Sequence, residues 1–268
     1  MNYTTLLVDR TGGIATVTLN RPESKNALSP AMTQELTMLF NGMRGDETLR
    51  AVVLTGAGTD FCAGGDLKEA SAVSGARTPE QRRSAMRPYR DLTNALLGLD
   101  RPVIAALDGV AYGAGFSMAL TADIVLVSTR VRMCMVFHRI GLVPDVGAWY
   151  TLPRVVGLQR AKELVFSARE IGAAEALQMG LALEALEPAA LLPRALAMAR
   201  SFEGASAAAL SLSKQALQAS LQSELGTMLD LEAAGQAIAA DSEYARESIR
   251  RFVAKEPAQF RWPDRSTG

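Results

Sequence analysis

Three short runs constrain this chain more than anything else in it: AVVLTG at 51–56, RPVIAALDG at 101–109 and ADIVLVS at 122–128. Each has the β-rich make-up of a strand, and Thr78-Pro79-Glu80 opens a helix between the first two. Strands that alternate with helical segments predict βα repeats around a buried sheet, so the expected class is α/β. Apolar runs such as VIAAL and IVLVS fall far short of the length that crosses a bilayer.

Upstream, LLVDRTGGIATVTLNRP alternates apolar and polar residues around a Gly-Gly turn and predicts a β-hairpin. Ser29 is a good N-cap with Pro30 at the first helical position, and Met32, Leu36, Leu39 and Phe40 recur at helical spacing. From about residue 157 the chain turns to Ala, Leu, Gln, Glu and Arg, and 157–166, 172–180, 188–203, 206–223 and 225–254 all read as helices. The last two are alanine-rich with little sheet to pack against, which predicts a separate lobe or an oligomer contact. The expected division is therefore a core over 1–204 and a helical region over 205–268.

With 28 basic and 28 acidic residues the chain carries no net charge and gives no sign of a nucleic-acid footprint. Cys62 and Cys134 form neither a disulfide framework nor a metal-ligand spacing, and His138 is the single histidine. The first residues, MNYTTLLVDRTGG, lack a secretory signal. A cytoplasmic protein without a metal is the expectation.

Glycine-rich bends, FCAGGD and AYGAG, follow the first two strands. Glycine there lets backbone approach a ligand closely, or simply lets the chain turn. A lone carboxylate, Asp145, stands in GLVPDVG among glycines and aliphatic residues. Taken alone, Pro-Asp followed by Gly is ordinary turn chemistry.

Together, NRPESKNALS, VVLTGAGTDFCAGGDLKE, RPVIAALDGVAYGAGFSMALTADIVLVS and IGLVPDVGAWYTLPRVVG occur in the order seen in the crotonase family of enoyl-CoA hydratases and isomerases, which the chain resembles over nearly its whole length. SIRRFVAKEPAQF looks like that family's closing helix. The resemblance implies a spiral of ββα turns with two roughly perpendicular sheets, followed by helices that mediate homotrimers or dimers of trimers. It also implies an acyl-CoA substrate, no cofactor beyond the coenzyme A of that substrate, and two backbone N–H donors to the thioester carbonyl, at Ala63 and Ala114. Lys25, Ala27, Gly64, Gly65, Asp66, Leu67, Gly113 and Phe137 are implied to line the substrate site, with Phe252 and Lys255 reaching the coenzyme A of a neighbouring subunit.

Family hydratases use two glutamates, and the matching positions here are Ser117 and Phe137. A hydroxyl and a phenyl ring cannot exchange protons with water near neutral pH, so two-acid hydration is not expected. Asp145 falls where several isomerases of the family carry their catalytic acid. A single desolvated carboxylate, its pKa raised by apolar walls, could move one proton between C2 and C4 of a 3-enoyl-CoA. The expected activity is therefore a cofactor-independent enoyl-CoA isomerase. An unconventional hydratase and a silent acyl-CoA-binding subunit are the alternatives.

Other candidates have plainer readings. His138 is expected to be structural or on the surface, and Cys62, without a basic partner nearby, an inert small side chain. Asp66 can cap the helix that carries Lys68. Arg77, Arg82, Arg83, Arg87 and Arg90 read as a solvated face of the 73–90 segment, whose family counterpart covers the acyl chain.

Overall fold

The computed structural model describes residues 3–72 and 78–264; Val73 and Arg77 lie outside them. The expected hairpin forms from β1 (Leu6–Thr11) and β2 (Ile14–Leu19), followed by α1 (Pro30–Met43), whose Ser29 cap accepts from the Met32 N–H. Next come β3 (Ala51–Gly56), α2 (Leu67–Ala72), α3 (Pro79–Ser84), α4 (Arg87–Leu97) and β4 (Val103–Leu107). Thr78 and Gln81 close a reciprocal capping box at the start of α3. Then follow β5 (Val110–Tyr112), α5 (Ala114–Ala119), β6 (Ile124–Ser128), β7 (Arg132–Cys134), α6 (Ala148–Val156) and α7 (Leu158–Ser167). The remainder is β8 (Glu170–Ile171), α8 (Ala173–Gln178), β9 (Glu184–Leu186), α9 (Pro188–Ser201), α10 (Ala207–Ala219), α11 (Leu225–Ala240) and α12 (Glu243–Val253).

Two sheets result, one ordered β1-β2-β3-β4-β6-β9 and a small one ordered β5-β7-β8. From β2 to β9 every pairing of the large sheet is parallel. Parallel strands covered on both faces are apolar throughout, which is why β4 is buried at all five positions. β1 is the edge strand and is exposed at all but its first residue, with Asp9 and Arg10 discouraging further pairing. One face of the sheet meets α1 and α4 through Leu36, Phe40, Leu92 and Leu96; the other meets α9 through Leu191, Ala195 and Met198.

The sequence reading misses the small sheet and α6, and it runs 225–254 together as one helix. A capped break divides that last segment, where the Ser242 side chain accepts from the Ala245 N–H and starts α12. In the C-terminal region, Lys214 of α10 bonds the Arg101 carbonyl at 2.9 Å and Asp123 at 2.7 Å, tying that helix to the large sheet. Beyond α12 the chain returns to the body, where Trp262 meets Phe202 edge-on at 5.6 Å.

Candidate active site

The two glycine-rich bends meet at one end of the sheets. Cys62 forms an isolated bridge with Ala111 of β5, through Cys62 N–H to Val110 and Tyr112 N–H to Cys62, each at 2.9 Å. Gly115 of α5 faces the same residue: a side chain there would lie 2.7 Å from the Cys62 Cβ and 2.8 Å from its Sγ, and closer still to its carbonyl. Only a residue without Cβ lets the start of α5 come this near the first bend. Burial pushes the Cys62 thiol up to about 12, so it is the inert side chain expected.

One expected donor is corrected. Ala63 N–H is already committed, to the Lys25 carbonyl at 2.9 Å, and cannot face a ligand. Two residues on, Gly65 forms a parallel bridge with Leu28, made by Leu28 N–H to Gly64 at 2.7 Å and Asp66 N–H to Leu28 at 3.0 Å. In that pattern the bonds belong to the flanking residues, so Gly65's own N–H points away from Leu28, and it has no partner among the described residues. Ala114, the first residue of α5, likewise has no carbonyl of its own helix to meet. The free pair is Gly65 and Ala114. Gly64, between the bends, would place a Cβ 3.5 Å from the Ala114 nitrogen.

Asp145 lies just before α6, on a strained corner: Val146 has φ 48° and Gly147 φ 76°. A β-branched residue in the left-handed region is an outlier that surrounding structure must hold in place, and Val146 is buried to 3 % exposure. The Asp145 Oδ1 is buried and finds no hydrogen-bond partner among the described residues. Burial lifts the carboxyl from 3.8 to about 6, its own backbone N–H offsetting only part of the effect.

Ser117 is fully buried and donates its hydroxyl to the Gly113 carbonyl at 3.1 Å. Phe137, 6 % exposed, brings its ring to 3.6 Å from the space a Gly113 side chain would occupy. The two positions that could have held acids thus hold an engaged hydroxyl and an apolar wall beside the second bend.

Asp66 is drawn into structure, with a 2.9 Å ion pair to Arg21 and a 3.1 Å bond from the Glu69 N–H at the start of α2. Burial alone would raise its pKa, but these partners hold it below the usual carboxylate range. Arg21 also donates to the Ala27 carbonyl at 2.7 Å, so Ala27 and Asp66 are bound to one guanidinium. Lys25 is exposed, as are Leu67 and Lys68 of α2. Phe252, at the end of α12, and Lys255, just beyond it, are exposed. His138 is exposed and stacked on Phe166 at 6.0 Å, the surface role expected of it. Arg82, Arg83, Arg87 and Arg90 are exposed, the solvated face anticipated.

Sequence reasoning passed over two residues that shape the site. Asn26 is fully buried with φ 55°; its amide donates to the Ala57 and Asp60 carbonyls at 2.9 and 2.7 Å and accepts from the Arg21 N–H at 2.9 Å, clamping the first bend. Asparagine's tolerance of positive φ was the available signal. Tyr89 of α4 reaches the bend at Gly65, and nothing in its arginine-rich surroundings announces that.

Among the described residues no cluster of His, Cys, Asp and Glu could hold a metal ion, and no helix is long and apolar enough to cross a membrane.

Comparison with known proteins places these features in context. Residues 9–264 match the family model described as enoyl-CoA hydratase/isomerase. The chain is 36% identical over 248 residues to the 1,2-epoxyphenylacetyl-CoA isomerase of Escherichia coli K12, covering 92% of this chain and 95% of that protein. It is 32% identical over 256 residues to the short-chain-enoyl-CoA hydratase of Clostridium acetobutylicum, covering 95% and 97%. A crystal structure of an enoyl-CoA hydratase/isomerase from Cupriavidus metallidurans CH34 superposes with a TM-score of 0.92 at 41% identity, covering 99% of this chain and all of that one. The crotonase-like α/β class expected from the motifs is the fold of this chain.

Proposed function

Because this chain belongs to the enoyl-CoA hydratase/isomerase family, we propose that within it the protein is an isomerase that moves the double bond of a 3-enoyl-CoA, or of a ring-derived acyl-CoA, to the 2-position. The observation that carries this reading is Asp145: one desolvated carboxylate with a buried oxygen that finds no partner among the described residues, in a chain whose positions matching the hydratase glutamates, Ser117 and Phe137, supply no acid.

In the proposed reaction the thioester oxygen accepts from the Gly65 and Ala114 N–H groups. The C2 hydrogens of a 3-enoyl thioester are acidified by both the carbonyl and the alkene, and Asp145 takes one. Negative charge spreads over the dienolate and settles on the gripped oxygen, where each fixed donor is worth about 3 kcal/mol in comparable acyl-transfer sites. The Asp145 carboxyl then returns its proton to C4, and the conjugated 2-enoyl-CoA results. Asp145 ends as it began, so no cofactor is consumed. A base near pKa 6 is ionised at neutral pH yet still basic enough for the task.

Lys25 is assigned to the coenzyme A nucleotide, and Phe252 and Lys255 to that of a neighbouring copy in a homotrimer or dimer of trimers. The cytoplasm is the proposed compartment.

The test is 3-hexenoyl-CoA in deuterated water, following conjugation and label at C2 and C4. Replacing Asp145 by alanine is expected to slow isomerisation at least about a hundredfold, the low end for loss of a general base. Unchanged turnover would remove Asp145 from the mechanism. The hydratase name of the Clostridium relative favours a second reading, water addition through Asp145. Loss of conjugated absorbance from a 2-enoyl-CoA faster than 3-hexenoyl-CoA is isomerised would select it.

A further inference from the structure

Tyr89 carries a polar group that the proton shift does not use. It sits on α4, half-buried against the main core cluster. Its hydroxyl lies 3.4 Å from where a Gly65 side chain would begin, which puts it against the bend that presents the Gly65 N–H. One helical turn on, the Thr93 methyl lies 2.9 Å from the corresponding point at Gly147, in the corner that follows Asp145. Tyr89 and Thr93 share a helix face at i, i+4 spacing. That face therefore bridges the oxyanion bend and the base.

The Tyr89 side chain is half-buried, with no hydrogen bond from its hydroxyl to another described residue, and the Asp145 Oδ1 whose charge it feels is buried without a partner among them. Burial raises the phenol's pKa and the facing Asp145, Cys62 and Asp66 raise it further, so it stays protonated and can donate. A buried acceptor without a partner is unusual in a folded chain, and the half-buried Tyr89 hydroxyl is left free to donate to a ligand that meets that acceptor. An acyl group answers Asp145 with an acidic C–H. A pure hydrocarbon offers Tyr89 nothing.

We propose that Tyr89 is a specificity-determining residue whose hydroxyl donates to an oxygen on the acyl group, so that the site favours acyl-CoA thioesters bearing an ether, hydroxyl or carbonyl oxygen beyond the thioester over their all-carbon counterparts. The inference rests on the acyl-CoA reading of the same site and adds the polarity of the acyl group to it. A site built to hydrogen-bond a substrate oxygen discriminates against the analogue that lacks it, because the half-buried donor, cut off from water by the bound acyl chain, is then left unpaired.

The experiment is a binding series that needs no turnover. Octanoyl-CoA is compared by calorimetry with four analogues in which oxygen replaces the methylene at C4, C5, C6 or C7, using the intact wild-type protein and Tyr89→Phe. At one position or two adjacent ones, oxygen is expected to tighten wild-type binding about three- to tenfold, the worth of one neutral hydrogen bond. In Tyr89→Phe that ratio is expected to fall to about one. Wild-type protein that binds octanoyl-CoA without preferring any oxygen analogue overturns the inference and leaves the isomerase reading standing. A preference that persists in Tyr89→Phe overturns it as well. Failure of the wild type to bind any member of the series overturns both.

Discussion

Ser117 gives its hydroxyl proton to the Gly113 carbonyl, one turn back along α5, and both residues lie at the foot of the second bend. The hydroxyl is therefore spent on backbone rather than offered to a ligand. Ser117→Ala is expected to keep 3-enoyl-CoA isomerisation within about threefold of wild type, since it loses a single neutral hydrogen bond. A hundredfold loss in steady-state rate would give Ser117 a chemical role it is denied here.

The pH profile should report the raised Asp145 carboxyl. A base must be ionised, so kcat/KM for isomerisation is expected to rise with pH through about 6 and level off above it. A plateau already reached at pH 5 would mean the carboxyl is solvated.

Stability should move the opposite way. Asp145 binds its proton more tightly in the folded protein than in the unfolded chain, so its effect on stability is most favourable below the unfolded value of 3.8 and worsens as pH rises through about 6. The gap corresponds to about 3 kcal/mol at about 1.4 kcal/mol per pH unit. Asp145→Asn is thus expected to raise the urea midpoint at pH 8, with the advantage largely gone at pH 4. An advantage that did not vary with pH would show that ionisation is not its source.

Gly115→Ala tests the approach of the two bends. Its methyl group would collide with Cys62 backbone and side chain. A loss of about 1–3 kcal/mol in stability is expected from such overpacking, together with at least about a tenfold fall in isomerisation as the paired N–H groups separate. Wild-type behaviour on both counts would show that α5 can withdraw without consequence.

Much of this architecture was legible because the physics was local. β3 and β4 announce themselves as runs buried on both faces, and α1 by Ser29 and Pro30 followed by a periodic apolar stripe. The small sheet was not legible, since strands of two or three residues are too short to show any period. α6 opens without a capping side chain, with Trp149, Tyr150 and Thr151 in its first turns and Pro153 inside it, and only tertiary packing makes it a helix. Asp145, isolated among apolar residues, reads as a turn by itself and becomes a candidate only through its place in the motif shared with the crotonase family. The choice of Gly65 over Ala63 could not be read from the sequence, because successive amides in a bend point in different directions, and the Lys25 carbonyl that claims Ala63 is distant in sequence. Tyr89 escaped for the same reason: its partner surface is created by the fold.

Val146 adds a thermal consequence. A valine held at positive φ carries a conformational cost of about 1–2 kcal/mol, and it is the residue immediately after the proposed base, Asp145. The strained corner is therefore expected to relax before the large sheet melts. On gradual warming, catalysis should fade at a lower temperature than the far-ultraviolet dichroism, with the missing activity regained on cooling.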